Sequence, residues 1–504
     1  MKKSIKSPAF GTPFKSGNST VPPFKGGGEE RGGGLFLTVL LTILTFGFSS
    51  CEKLLVVDPV TGIPAEQAIE TVQDLENLAN SMYNGLQGGS LYGGNFQLYG
   101  DLMADDTQVD ESRLSPFGTL EIYQRSTTIQ ISSLRSTWRE AYKVINRANN
   151  IIRVVDENLL SGTEFDNKKD RLKAEALVIR ALCHFELCRF WAQPYDVDNQ
   201  GGNSQAGVPY RTEPTISFTQ DLAIARSTVE QVYTNVINDL EDAEALFVAA
   251  GVRKSEHRVA GMAATAIKAR VLFSKGDYVN ASSAATDVIA SNLYSLNPSN
   301  PEQSLNTPFQ STGYNASDES IFQLAFTTFD NGLNESYSQF NNLPIFQYSD
   351  DGLVTSYAPG DLRKSEWYLQ NPVNLRGRIT KYDRPGDVFY NVPVIRLAEL
   401  HLIRAEANMS PGGSGNTAEA LESYNAIRER AFGTSFIEEM GTNQLLEKIS
   451  LERRWELCFE NDRYHNLRRL QEPVRDGISY NDASLLFKIP QEEIAGNPSI
   501  EQNP

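Results

Sequence analysis

Four groups of residues in this chain have the types and spacing that chemistry could use. The first is acidic: Asp101, Asp105, Asp106, Asp110 and Glu111 crowd carboxylates into a short stretch, and several carboxylate oxygens together could hold calcium. The spacing does not fit an EF-hand loop and the central glycine is missing, so a solvated acidic loop or helix cap is expected and no metal is assigned. The second is a run of mixed charge, Glu452, Arg453, Arg454, Glu456, Glu460, Asp462, Arg463, Arg468 and Arg469, interleaved with Trp455, Leu457, Phe459 and Leu467. Opposite charges three or four positions apart support a helix by a few tenths of a kcal/mol per pair. Ion-pair networks are usually structural, and the expectation here is a solvated face laced with salt bridges.

The third group is a set of aromatic rings in the region 294–391, where Tyr314, Phe329, Tyr337, Phe340, Phe346, Tyr348, Tyr357, Trp367, Tyr368 and Tyr390 accumulate among Asn, Ser, Gly and Pro. Flat ring faces suit sugar rings or peptide side chains, and neighbouring Asn, Asp and Arg can bond hydroxyls. Most such rings pack against a scaffold. The residues singled out as ligand contacts are Tyr314, Tyr348, Trp367 and Tyr368, joined by Phe117 and Tyr123 from an earlier loop. The fourth group is a single residue, Cys51. Lys25 and Arg31 precede an apolar run over 35–48 that ends in Gly47-Phe48-Ser49-Ser50-Cys51. Basic residues, a short apolar core and small residues before a cut describe a secretory signal. At about 1.5 Å per residue the run spans roughly 21 Å, short of the ~30 Å bilayer core, so it does not read as a lasting membrane span.

Other chemistry is not written here. The chain has no GxSxG elbow, no Walker-type phosphate loop, no HExxH and no GxGxxG after a strand. His184, His257, His401 and His465 are scattered, no Cys and His cluster shows zinc-ligand spacing, and no cofactor is implied. Beyond Cys51, the thiols of Cys183, Cys188 and Cys458 cannot all pair, and each sits in a helical apolar pattern, so buried free thiols are expected. The first fifty residues carry six Lys or Arg and two Glu, so the remainder holds a net −21 of the overall −17. A surface this acidic repels phosphate and excludes nucleic acid as a partner.

The elements that must position these groups are mostly helices. Apolar residues recur at helical spacing over 65–86, 134–155, 171–190 and 228–247. Two stretches repeat one device, an alanine-rich helix, a turn and a second small-residue helix: 261–290, and 391–432 with Thr417 as the expected cap of its second helix. Setting Ala281 against Ala420 also aligns Ala285 with Tyr424 and Val288 with Ile427. Repeated helix pairs with faces that need neighbours are the signature of a tetratricopeptide-like stack. A third helix is expected to carry the mixed charges to about Leu470. Only 320–326 and 375–382 alternate as strands do, so the fold class is mainly α with an irregular, loop-rich region.

At these residues the chain resembles a family. The run from Glu452 to Glu460 with Asp462-Arg463-Tyr464 and Leu467-Arg468-Arg469 resembles the closing helix of the SusD/RagB family of outer-membrane nutrient-binding lipoproteins. Pro393 to Leu400 with Arg404-Ala405-Glu406-Ala407 is similar to its preceding helix, and Phe487-Lys488-Ile489-Pro490 with Glu493-Ile494 and Asn497-Pro498 to its C-terminal signature. Leu98 to Asp106, Lys173 to Leu177 and Gly207-Val208-Pro209-Tyr210 add to the likeness. Ser49-Ser50-Cys51 looks like a bacterial lipobox, with Phe48 where leucine is common, and makes Cys51 the acylated first residue of the mature chain. Two or three acyl chains hold firmly where one holds marginally.

The resemblance implies a leader and signal over 1–50, an N-terminal helical region over 51–250 and a C-terminal region over 251–504 containing the irregular insert, the last two forming one unit. It implies a lipid-anchored protein on the outer face of the outer membrane. There it would bind a glycan or peptide and present it to a SusC-like TonB-dependent barrel transporter, without catalysis. The rival readings are a lipid-anchored glycoside hydrolase on a helical barrel, whose acid pair need only meet in space, and a repeat scaffold that binds proteins alone.

Overall fold

The structure is a computed structural model that describes residues 69–106, 108–109, 111, 114, 118–217, 220–255, 257–313, 316–326, 333, 337, 346–347, 352–370, 377–382, 390–433 and 442–504. The helix expected from position 65 is described as α1 (Val72–Gln87). Thr71 starts it with a capping box: its hydroxyl accepts from Asp74 N at 3.1 Å, and the Asp74 carboxylate accepts from Thr71 N at 3.0 Å. There follow α2 (Asn95–Met103), the short strand β1 (Gln108–Val109), α3 (Thr119–Tyr123), α4 (Ser132–Asp156), α5 (Thr163–Trp191), α6 (Val229–Ala250), α7 (Gly261–Lys275) and α8 (Tyr278–Ala290).

These helices build the stack the periodicity implied. α1 packs on α4, and α4 through α8 pack each on the next. Alanine makes the approach close: Ala263, Ala264, Ala266 and Ala269 of α7 and Ala281, Ala284 and Ala285 of α8 are all buried. The turn between the two helices needs Gly276, which closes α7 with φ +77°, in the left-handed region. Asp277 then caps α8 through Asn280 N.

After α8 the regular stack stops. The excursion carries α9 (Pro301–Gln310), β2 (Ser320–Leu324), β3 (Phe346–Gln347), α10 (Leu353–Ser356), α11 (Arg363–Glu366), β4 (Tyr368–Gln370) and β5 (Gly377–Ile379). It returns through β6 (Val392–Arg396) into α12 (Leu397–Met409) and α13 (Thr417–Phe432). α12 packs on α8 and α13 on α12, so the two hairpins with matching sequence are neighbours and the excursion leaves the stack between them.

Three expectations change. The helix expected from 391 begins as a strand: Val392, Val394 and Ile395 favour extended backbone, and β6 pairs antiparallel with β2, Leu324 facing Val392 and Ser320 facing Arg396. The cap of α13 is Asn416, whose side chain accepts from Glu419 N at 3.3 Å, one residue before Thr417. The charged segment is two helices, α14 (Thr442–Glu456) and α15 (Arg463–Arg469), separated where Phe459 and Asn461 both take φ +61°. The chain ends through α16 (Gln491–Gly496). Two other antiparallel pairs are described, β1 with β3 and β4 with β5.

Candidate functional site

The charged residues of 452–469 are largely inside the protein, which overturns the expectation of a solvated face. Glu452 and Glu456, one turn apart on α14, are fully buried (0% exposed each), and Glu460 follows in the turn. Glu456 accepts from Arg363 Nη1 at 3.0 Å and from Arg396 Nη1 at 2.6 Å, and also from Arg430. Glu452 meets Arg363 at 2.6 Å and Arg428 at 3.2 Å. Arg396 donates further to Glu319 at 2.7 Å and to both oxygens of Glu460 at 2.8 and 2.7 Å. Asp361 holds Arg363 through two bonds at 3.0 and 2.7 Å.

Five acids, Glu319, Asp361, Glu452, Glu456 and Glu460, thus face five bases, Arg363, Lys381, Arg396, Arg428 and Arg430. Burial would raise the Glu456 carboxyl, but Arg430, Arg396, Arg363 and Lys381 outweigh it and hold that group well below the usual carboxylate range. Burial works against the charge of Arg396 and Arg363 as well, but Glu460, Glu456 and Glu319 around the first and Glu452, Asp361 and Glu456 around the second keep both charged. Sequence reasoning missed Glu319, Asp361, Arg363 and Lys381 because they come from the irregular excursion, where no period marks an inward face.

The acidic group of 101–111 is also not simply solvated. Asp101 is buried (3% exposed) and accepts from the Tyr337 hydroxyl; burial pushes its carboxyl up to about 8. Asp105 takes both Nε and Nη2 of Arg463 at 2.8 Å, and Asp106 accepts from Arg454 Nε at 2.7 Å. These acids therefore clamp the C-terminus of α2 to α14 and α15. Asp110 lies outside the described residues.

The aromatic candidates divide. Trp367 (1% exposed) and Tyr368 (5% exposed) are enclosed, so in this conformation neither ring face is open to a ligand. The Lys381 ammonium sits 4.0 Å from the Trp367 ring, and the Tyr368 hydroxyl donates to Cys458 Sγ at 3.2 Å and meets the Tyr357 hydroxyl at 3.1 Å. Both rings instead wall the charge cluster, as do Tyr357 and Tyr382, while Tyr337 packs on Tyr382. Tyr123, at the end of α3, is partly exposed. The Arg475 guanidinium lies 3.7 Å from its ring centroid and covers one face. Phe117, Tyr314, Tyr348 and Cys51 lie outside the described residues.

Backbone pairing still says which segments meet. β1 and β3 run antiparallel, with Gln108 opposite Gln347 and Val109 opposite Phe346. The backbone at 108–109 is thereby joined to that at 346–347, although well over two hundred residues of chain separate them. Gln124, next to Tyr123, adds a side-chain bond to Glu111 at 2.8 Å. A crevice beside the charge cluster, lined in part by Arg270, Glu399, Arg453 and Asp462, has a free volume of about 50 Å³. That is room for a few waters, far below the roughly 300–1,000 Å³ of a small-molecule site.

Cys183 and Cys188 are buried free thiols among apolar neighbours, as expected; Cys458 is buried and free but sits beneath two tyrosine hydroxyls and a lysine. His184 is stacked on Tyr210 at 4.0 Å, and burial pulls it down to about 3. Among the described residues no group of three or more His, Cys, Asp or Glu could hold a metal, and no helix is long and apolar enough to cross a membrane.

Stacked antiparallel helix pairs, broken once by an irregular excursion that a buried charge cluster ties back to the closing helices, define a tetratricopeptide-like helical-repeat protein. One family model, described as starch-binding and associating with the outer membrane, matches residues 63–273, and another, described as the SusD family, matches 380–504. Two SusD-like proteins of Formosa agariphila are 25% and 24% identical to the chain, over 93% and 92% of it and 98% and 97% of their own lengths. A SusD superfamily protein of Bacteroides thetaiotaomicron superposes with a TM-score of 0.74 at 27% identity, covering 86% of this chain and 100% of its own. A Bacteroides vulgatus protein named for sugar binding does so with a TM-score of 0.73 at 25% identity, covering 87% and 99%. The chain belongs to the SusD/RagB family.

Proposed function

We propose that this chain is a lipid-anchored protein on the outer face of the outer membrane that binds a glycan and delivers it to a TonB-dependent barrel transporter. The observation that carries this reading is the β1–β3 pairing of Gln108 with Gln347 and Val109 with Phe346, which brings backbone from before α3 against backbone of the excursion. A ligand held there lies across a loop surface, in keeping with a crevice beside the charge cluster that has room only for water-sized guests. The family match and the relative named for sugar binding support a saccharide as the ligand class. Aromatic faces at Phe117, Tyr123 and Tyr348 would stack on sugar rings, and the work is binding, not turnover.

The test is calorimetry of the chain from residue 52 onward against panels of oligosaccharides and peptides, with reducing ends assayed in parallel. Saccharide binding without new reducing ends supports the reading, as does weakening by at least about tenfold, or ~1.4 kcal/mol, in Tyr123→Ala or Tyr348→Ala. Released reducing ends would establish a hydrolase instead. Delivery is tested by detergent extraction of outer membranes: a barrel transporter should co-purify with the tagged protein.

A further inference from the structure

Arg189 ends α5, and His465, Arg468 and Arg469 lie on α15. Packing these ends together concentrates three guanidinium groups and an imidazole, with the His465 ring 4.8 Å from Phe190. Arg468 spends its donors on main chain, bonding Tyr480 O at 3.0 Å, Arg189 O at 3.1 Å and Ala192 O at 3.3 Å. It thereby caps the carbonyls that end α5, and it has no carboxylate partner within 4 Å among the described residues. Arg469 is bonded to Glu406 and to Tyr278, and Arg189 directs its Nη2 to Glu186.

Two crevices share Arg189, Ser274, His465 and Arg469 as a common wall. The smaller, about 30 Å³, is also lined by Arg468 and by no carboxylate. Arg189 Nε and His465 Nε2 are sealed from solvent and have no partner, and Arg453 Nη1 is in the same state on the side of the larger crevice. Buried donors are costly unless something accepts from them, and this holds for the charged guanidinium groups and for the His465 ring, which burial keeps neutral by holding it well below its ordinary value. Cys188, in the same wall, supplies no negative charge, because burial holds its thiol up at about 12. The space suits one or two waters or a single halide.

We propose that the crevice between the end of α5 and α15 is a binding site for a monatomic anion of chloride size, which accepts from Arg189 Nε and His465 Nε2 and balances the charge of Arg468. The anion pins α15 to the end of α5.

Crystals grown with bromide in place of chloride provide the direct test. An anomalous bromine peak within hydrogen-bonding reach of Arg189 and His465 is expected. Surface bromide with only water in the crevice would overturn the proposal. In solution, thermal unfolding in sodium chloride should show a saturable rise over sodium gluconate of equal ionic strength, because a ligand that binds only the folded state stabilises it by mass action. Arg189→Lys keeps the charge and removes the Nε donor, so the chloride-specific rise should vanish. A rise that never saturates, or that survives in Arg189→Lys, would count as a general salt effect and against the site. If Arg189→Lys fails to fold, the bromide map of the unaltered protein decides.

Discussion

At the scale of single residues, Glu456 is the most constrained position. It sits at 0% exposure between Arg363, Arg396 and Arg430. A buried ion pair adds little net stability over a well-packed apolar substitute, but removing one partner strands the other charges. Glu456→Gln should therefore destabilise the fold by about 3–5 kcal/mol in urea unfolding, with little change in the slope of the transition. Asp101 has the opposite character. Its folded carboxyl is pushed up to about 8 from an ordinary 3.8, so the folded state prefers the protonated acid. Its contribution to stability is complete below about pH 3.8 and is lost progressively as the pH rises to 8. Asp101→Asn keeps an oxygen for the Tyr337 hydroxyl and carries no charge. The variant should match the parent near pH 4 and gain on it steadily up to pH 8 in denaturant titrations; a gap that does not widen with pH would contradict the burial argument.

At the scale of elements, the turn between α14 and α15 decides how the closing segment docks. Phe459 and Asn461 are both left-handed there, and the Phe459 carbonyl accepts from the Tyr382 hydroxyl at 2.8 Å and from Gln97. α2 approaches this turn so closely that a Cβ on Gly100 would lie 1.8 Å from Asn461 Oδ1 and 3.1 Å from its Cα. Gly100→Ala should cost about 1–3 kcal/mol by overpacking. Asn461→Gly removes the colliding side chain and suits the left-handed backbone, so the double variant should recover part of the loss in a thermal-unfolding cycle. Simple additivity of the two changes would show that they do not meet. The periodicity of 445–470 was legible as helix, but the break was not, because Phe459 is an unusual left-handed residue held there by its contacts with α2 and the excursion.

At the scale of the whole molecule, the stack of hairpins supports an excursion whose strand β3 pairs with β1 from before α3. Function at a membrane surface then depends on the tether proposed at Cys51. Cys51→Ser should abolish labelling by radioactive palmitate and move the protein from the membrane to the soluble fraction of lysed cells. Labelling that persists would place the anchor elsewhere. Composition marked the excursion as the candidate region. Which rings stay available was hidden, since Trp367 and Tyr368 look like any exposed loop aromatic until Lys381 and Cys458 are seen beneath them.

The helix pairs, the repeat of 261–290 in 391–432, strand β2 and the buried thiols Cys183 and Cys188 followed from the sequence alone, because apolar period and small-residue spacing are local properties of a chain. The family likeness was legible for a similar reason: its motifs lie in contiguous runs. Tertiary structure alone decided that the charges of α14 and α15 face inward, since their partners Arg363, Arg396, Asp105, Asp106 and Glu406 come from distant segments and a charge shows its burial only when its counter-charge arrives. It likewise decided that 392–396 is a strand, because β6 needs the edge that β2 offers from some seventy residues earlier.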